Sequence, residues 1–392
     1  MTTSPESPAG APRAQLARRR SSTFHDLEAL EAHLARGRSL EGASLQGLDL
    51  RGVDWSKVGV RGALFLGCRL AAEGEPAVRE GGGLVFPDFD GLPYDPYRSS
   101  LYTWRELLEG HDPERDESLD RRIYDHFVAR GRHNPDLPEA LAQRLHDHAI
   151  DDALRDLIGV DGDGMTGRRL VGIMGGHGVP RGAPAYRAAA RIARRLAREG
   201  YFLVSGGGPG VMEATNLGAY LSGEDAATLE AAVDELQAAP RYTMRDYVPL
   251  ARRILDGHPP GLANLAIPTW FYGHEPSNVF ATRIAKYFSN SLREDALLSF
   301  CLHGIVYAPG SAGTVQEIFT DAAQNHYASL GWVSPMVFLG RERYVEETGL
   351  YPLLERLAEG RRYRELLCCS DDPEQIVAFI REHPPVRSSG GS

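Results

Sequence analysis

The sequence predicts an α/β protein: a doubly wound parallel sheet, preceded by a short β-solenoid and a helical segment. Three observations predict it. After Gly167, short apolar runs bounded by glycine alternate with helical stretches, the pattern of a parallel sheet covered on both faces. From Ser39 an apolar residue recurs every fifth position, a period that neither a helix nor a strand produces. Between these regions lie stretches of helical periodicity.

At 392 residues, with 42% hydrophobic and 24% charged residues, the chain has the composition of an ordinary globular protein of more than one core. No run approaches the ~18–20 apolar residues of a membrane span, and no apolar stretch follows the N-terminal arginines as a secretory signal requires. Cys68, Cys301, Cys368 and Cys369 are too few and too scattered for a disulfide scaffold or a zinc site, so a cytoplasmic location is expected. Forty-three basic against 53 acidic residues give a net charge of −10, which argues against binding a nucleic-acid polymer. With Lys57 and Lys286 the only lysines, Schiff-base chemistry has almost no candidate. No cofactor and no metal are expected.

Residues 1–22 carry Pro, Ser and Arg without apolar periodicity and are expected to be a disordered tail, with an organelle transit peptide as the alternative. Residues 23–75 are expected to form a short helix followed by the five-residue repeat. Leu40, Leu45, Leu50, Trp55, Val60, Phe65 and Leu70 carry the period, with Ala43, Leu48, Val53, Val58, Ala63 and Cys68 two positions earlier. A solenoid that stacks inward-facing residues coil on coil fits it. The segment resembles the pentapeptide-repeat family over about seven pentads, which implies a scaffolding or interaction role.

Residues 76–165 combine a Pro- and aromatic-rich extended run (Phe86, Pro87, Phe89, Pro93, Tyr94, Pro96, Tyr97) with helices at about 101–109, 118–131 and 138–158. His146 and His148 fall on different helix faces, which favours a solvated helix over a metal site. Residues 166–382 are expected to be the Rossmann-like nucleotide-binding domain, and residues 383–392 a second disordered tail. Strands are expected at Arg169–Met174, Tyr201–Ser205, Leu262–Ile267, Gly304–Ala308 and Met336–Leu339.

Ligands of open α/β sheets bind at the carboxyl ends of the strands. Three loops there are rich in glycine: Gly175, Gly176, His177 and Gly178; Gly206, Gly207, Gly208, Pro209 and Gly210, leading to Glu213; and Gly310, Ser311, Ala312, Gly313 and Thr314, leading to Glu317. Missing side chains let the backbone approach a ligand, and N–H groups at a helix start favour phosphate. Each loop alone also reads as a tight strand-to-helix turn. The acidic residue of a dinucleotide site is missing where Ser205 stands, and no Gly-Lys-Ser/Thr occurs, so neither an NAD site nor a P-loop is expected.

The runs Ser-Gly-Gly-Gly-Pro-Gly-Val-Met-Glu-Ala (205–214) and Pro-Gly-Ser-Ala-Gly-Thr-Val-Gln-Glu (309–317) resemble the paired signatures of the Lonely Guy family, over about residues 165–360. That family includes phosphoribohydrolases and nucleotide nucleosidases, many long labelled lysine decarboxylases. The resemblance implies hydrolysis of a nucleoside 5′-monophosphate to free base and ribose 5-phosphate, and a homodimer. It implies that the third loop holds the phosphate and that Glu317 is catalytic with an upstream arginine. Ser311 replaces a glycine of the family pattern. Arg293 stands one residue from the family's spacing, where Glu294 falls, and Arg283 competes with it. The chemistry is coherent on its own terms, because a carboxylate stabilises the oxocarbenium character left by a departing base. Thr314-x-x-Glu317 also reads as a capping box, and Glu213 as a first-turn acid. Base choice is assigned to Trp270–His274 or to the segment near Phe86–Tyr97. A non-catalytic nucleotide sensor, its pentads recruiting a partner, is the alternative.

Overall fold

The computed structural model describes residues 23–37, 39–86, 88–112, 117–160, 165–258 and 260–388. The expected tail at 1–22, Pro87 of the aromatic run and residues 389–392 lie outside them. The chain divides into two compact units, Met1–Asp88 and Phe89–Ser392.

In the first unit, β1 (Thr23–Phe24), β2 (Ser44–Gln46), β3 (Leu64–Leu66) and β4 (Leu84–Phe86) form a parallel sheet in that order. Ser44 pairs with Leu64 and Leu64 with Leu84, an offset of four five-residue periods. The periodic residues Leu40, Leu45, Leu50, Trp55, Val60 and Phe65 are buried, and Leu70 is partly so. Backbone bonds join successive passes of the chain, such as Leu64 N–H to the Ala43 carbonyl and Leu84 N–H to the Ala63 carbonyl, both at 2.8 Å.

The second unit holds β5 (Leu170–Met174), β6 (Phe202–Ser205), β7 (Leu265–Ala266), β8 (Arg283–Ile284), β9 (Ile305–Tyr307), β10 (Trp332–Val333), β11 (Met336–Leu339), β12 (Leu367–Ser370) and β13 (Val386–Arg387). Seven of these form a parallel sheet in the order β12-β11-β9-β5-β6-β7-β8. The chain runs outward from β5 to β8, then returns to β9 beside β5. The point where strand order reverses therefore lies between β5 and β9, where a doubly wound sheet opens its crevice. Alternation along β5 sends Leu170 and Met174 into one core and Val171 and Ile173 into another. Both faces are covered, so the strands read as unbroken apolar runs.

Residues 76–165 do not behave as one stretch. Residues 76–88 belong with the first unit, while Ile123, Phe127, Ile150, Leu154 and Ile158 are buried in a core of the large sheet. Nor is 383–392 a tail throughout, since Val386–Arg387 pair antiparallel with Trp332–Val333. His146 is not solvated: it is fully buried, its Nε2 2.8 Å from the Tyr102 hydroxyl, while His148 on the other face is exposed. Among the described residues no group of three His, Cys, Asp or Glu side chains is placed to hold a metal ion. No described helix is long and apolar enough to cross a membrane.

Candidate functional site

The three glycine loops meet at the reversal point and bond to one another through their backbones. Gly176 N–H donates to the Pro309 carbonyl at 3.0 Å, joining the first loop to the third. Val211 N–H donates to the Gly176 carbonyl at 3.3 Å, joining the second to the first. Gly210 has a φ of 69°, and a Cβ there would stand 2.4 Å from the Gly176 oxygen, so this junction requires glycine. A buried amide network fixes the second loop from behind. Ser205 Oγ accepts from Gly207 N–H at 3.0 Å and donates to Asn216 Oδ1 at 2.6 Å, and Asn216 Nδ2 donates to Asn264 Oδ1 at 2.8 Å.

Between the loops lies a cavity of about 310 Å³. Gly175, Gly176, His177, Gly206, Gly207, Gly208, Ser311, Gly313, Thr314, Arg293 and Glu317 all line it. The sixteen-residue helix Ala312–Tyr327 begins at its edge with Ser311 as N-cap, and no side chain caps its first turn. Unsatisfied N–H groups and the positive end of the helix dipole therefore stand at the third loop.

Glu317 and Arg293 come together. Arg293 Nη1 lies 3.4 Å from Glu317 Oε1, and both side chains are about nine-tenths buried. The capping-box reading fails, because Thr314 lies inside the helix and Glu317 in its second turn. Burial pushes the Glu317 carboxyl up to about 7; Arg293 pulls the other way and Glu294 adds to the rise. Asn290 Oδ1 accepts from Arg293 Nε at 3.2 Å and Nη2 at 3.1 Å, which fixes the guanidinium. Glu294, the next residue on the helix Asn290–Phe300, lies 3.5 Å from Arg293 Nη2 and accepts from Gln316 Nε2 at 2.7 Å. Arg283 is no competitor, being an exposed residue of edge strand β8 rather than part of a helix. One turn beyond Glu317, Asp321 is buried and also raised to about 7, with Tyr307 donating to it at 2.8 Å.

Other expectations need correction. Glu213 does not reach the cavity: it is buried, held by Arg181 at 2.7 and 2.5 Å and by the Tyr186 hydroxyl at 2.9 Å. Gly210, Gly310 and Ala312 shape their loops without lining the cavity. Trp270 is fully buried and donates to Asp120 at 2.7 Å, so it offers no face to a base. Tyr94 and Tyr97 are core residues too, Tyr94 packing on Phe288. From the aromatic run after β7, Tyr272 lines the cavity, largely exposed, its hydroxyl accepting from Asn290 Nδ2 at 2.9 Å.

Sequence reading missed Met212, Glu275, Ser277 and Lys286, which also line the cavity. Lys286 Nζ is 2.7 and 2.8 Å from the two oxygens of Asp120, a residue 166 positions away. Glu275 Oε1 lies 3.5 Å from His177 Nδ1, and burial raises its carboxyl while His177 and Lys286 oppose the rise. Placement after a strand of the same sheet was the available signal for Glu275; Asp120 had none.

The profile of the SLOG cluster4 family matches residues 168–226, the span from β5 through the second glycine loop and its helix. That superfamily includes the Lonely Guy proteins. The segment is of Lonely Guy type. Among solved structures, the chain is similar to the Moco carrier protein from Chlamydomonas reinhardtii, at 16% identity and a TM-score of 0.35, over 55% of this chain and 96% of that one. It is similar also to the molybdenum cofactor binding protein from Rippkaea orientalis, at 15% identity and a TM-score of 0.34, over 55% and 96%. A third is TM1055, at 18% identity and a TM-score of 0.34, over 55% and 100%. A comparison with curated proteins gives no match. The family match points to a nucleotide-related function.

Proposed function

We propose that this crevice hydrolyses the N-glycosidic bond of a nucleoside 5′-monophosphate, releasing free base and ribose 5-phosphate. The observation that carries it is the meeting of Glu317 and Arg293 at 3.4 Å beside the third glycine loop and its uncapped helix start. The loop's N–H groups take the phosphate, leaving C1′ of the ribose near the carboxylate. The C1′–N bond breaks with its electron pair going to the base, and positive charge grows on the sugar. Glu317, ionised, stabilises that charge and orients the water that adds to C1′. Of the water's protons, one leaves on the hydroxyl of ribose 5-phosphate and the other ends on the base. Arg293 keeps part of the Glu317 population ionised at neutral pH.

Ser311 at the loop favours a second reading, a nucleotide-binding protein that does not turn its ligand over. One experiment separates the two. The protein is incubated with AMP, GMP, CMP, UMP and IMP, with adenosine as the unphosphorylated control, and free base is measured. Base released from nucleotides and far more slowly from adenosine supports hydrolysis. Equal rates on AMP and adenosine would remove the role of the third loop, and binding without release leaves the sensor. We further assign the first unit to a short pentapeptide-type solenoid with an interaction role, on the strength of its twenty-residue register. A cytoplasmic homodimer is the assembly this reading favours.

A further inference from the structure

The second glycine loop runs along the cavity and touches a different charged side chain at each end. A Cβ on Gly206 would stand 3.7 Å from Arg293 Nη1, whereas one on Gly208 would stand 2.9 Å from Glu275 Oε2. Two residues of chain span at most about 7 Å, roughly the distance from C1′ to the far edge of a nucleobase. Met212 underlies the interval, its Sδ against Gly206 and its Cε against Gly208, and a soft thioether is a suitable floor for a flat ring. At the Gly208 end stands a paired acceptor and donor, Glu275 and His177, at 3.5 Å and both partly open to the cavity. A side chain at Gly208 would displace the carboxylate, so the glycine serves Glu275 as well as the ligand.

We infer that Glu275 and His177 read the edge of the base and select one bearing an exocyclic amine beside an unprotonated ring nitrogen, as adenine and cytosine do. The carboxylate accepts from the amine while the imidazole N–H donates to the ring nitrogen. Hypoxanthine and uracil present a carbonyl beside an N–H, the reverse order, and leave both partners mismatched once phosphate and sugar are fixed. The inference rests on the nucleotide reading of the crevice and adds its substrate class.

The test compares kcat/KM for AMP against IMP, and for CMP against UMP, in the wild-type protein and in Glu275→Ala and Glu275→Gln. Ribose 5-phosphate inhibition is the second readout. Wild type is expected to prefer the amine-bearing member of each pair by tenfold or more. Glu275→Ala should lower AMP by roughly 10- to 100-fold and IMP by less than about threefold, with ribose 5-phosphate inhibition unchanged, because a lost charged hydrogen bond falls in that range. Glu275→Gln, which adds a donor, should shift preference towards IMP and UMP. Wild-type rates equal within each pair, or a preference unchanged in both variants, overturns the inference and leaves hydrolysis standing. Absence of base release from every nucleotide sinks the hydrolase reading instead; the same pairs are then compared by binding affinity, where equal affinities overturn the edge-reading role.

Discussion

The two units are held together by different means. In the first, an apolar column repeats every fifth residue, and Gln46 is the one buried polar side chain among its described residues. The second buries Arg181 against Glu213, Lys286 against Asp120 and Arg293 against Glu317. A repeat satisfies its backbone through bonds between passes and needs only shape inside. A crevice that is to hold an anion and a charged carboxylate must bring charge out of water, and each such charge requires a partner. The interior of the first unit is therefore almost wholly apolar, whereas that of the second includes paired charges.

The sharpest way to break that comparison is to orphan a buried charge. Arg181→Met leaves Glu213 buried without its partner and is expected to cost about 3–5 kcal/mol in chemical denaturation. A loss below about 1 kcal/mol would mean that the pair contributes no more than a surface bridge. Next, Leu45→Ala in the apolar column should cost about 2–5 kcal/mol, read as a lowered denaturation midpoint of the first unit. If a polar substitution on an exposed turn such as Arg61→Gln cost as much, the column would not be what holds the unit.

Glu317→Gln should lower turnover by ~10²-fold or more while nucleotide affinity is kept. It should also raise stability at pH 8, since Arg293 keeps a second buried carboxylate, Glu294 at 3.5 Å, and is not orphaned as Glu213 is by Arg181→Met. The folded value of Glu317, about 7, lies above the ordinary 4.5, so its favourable contribution is complete below about pH 4.5 and is lost as pH rises through 7. Removing the ionisable group removes that loss, worth roughly 1–3 kcal/mol. Near-normal turnover in the variant would leave the glutamate without a chemical role. A smaller effect sharpens the partnership. Wild-type kcat/KM should rise through about pH 7 as Glu317 ionises, and Arg293→Gln should move that limb to higher pH. A limb that stays in place would show that the guanidinium does not tune the carboxylate. Last, Arg79→Ala removes an exposed pair with Glu75 and should change stability by less than about 0.5 kcal/mol.

Periodicity located β5, β6, β9 and β11 nearly to the residue, because strands buried on both faces are apolar throughout. It passed over β8, two residues long, and β12, whose Leu367–Ser370 run mixes two cysteines with one leucine. Among the glutamates the motif was ambiguous. Glu213 and Glu317 each follow a glycine loop into a helix, yet one lies in the first turn and pairs inward, and the other lies in the second turn and faces the cavity. Nothing local separates them.

By itself, then, the sequence determined what short-range patterns carry: the five-residue column, the alternation of strand and helix, and three glycine loops on one sheet edge. Tertiary structure alone decided which charges meet. Arg293 rather than Arg283 reaches Glu317, Asp120 crosses 166 positions to hold Lys286, and Glu275 comes to stand opposite His177. The physical reason is that backbone conformation and apolar periodicity are written in neighbouring residues, whereas pairing of buried charge depends on which distant elements share a core.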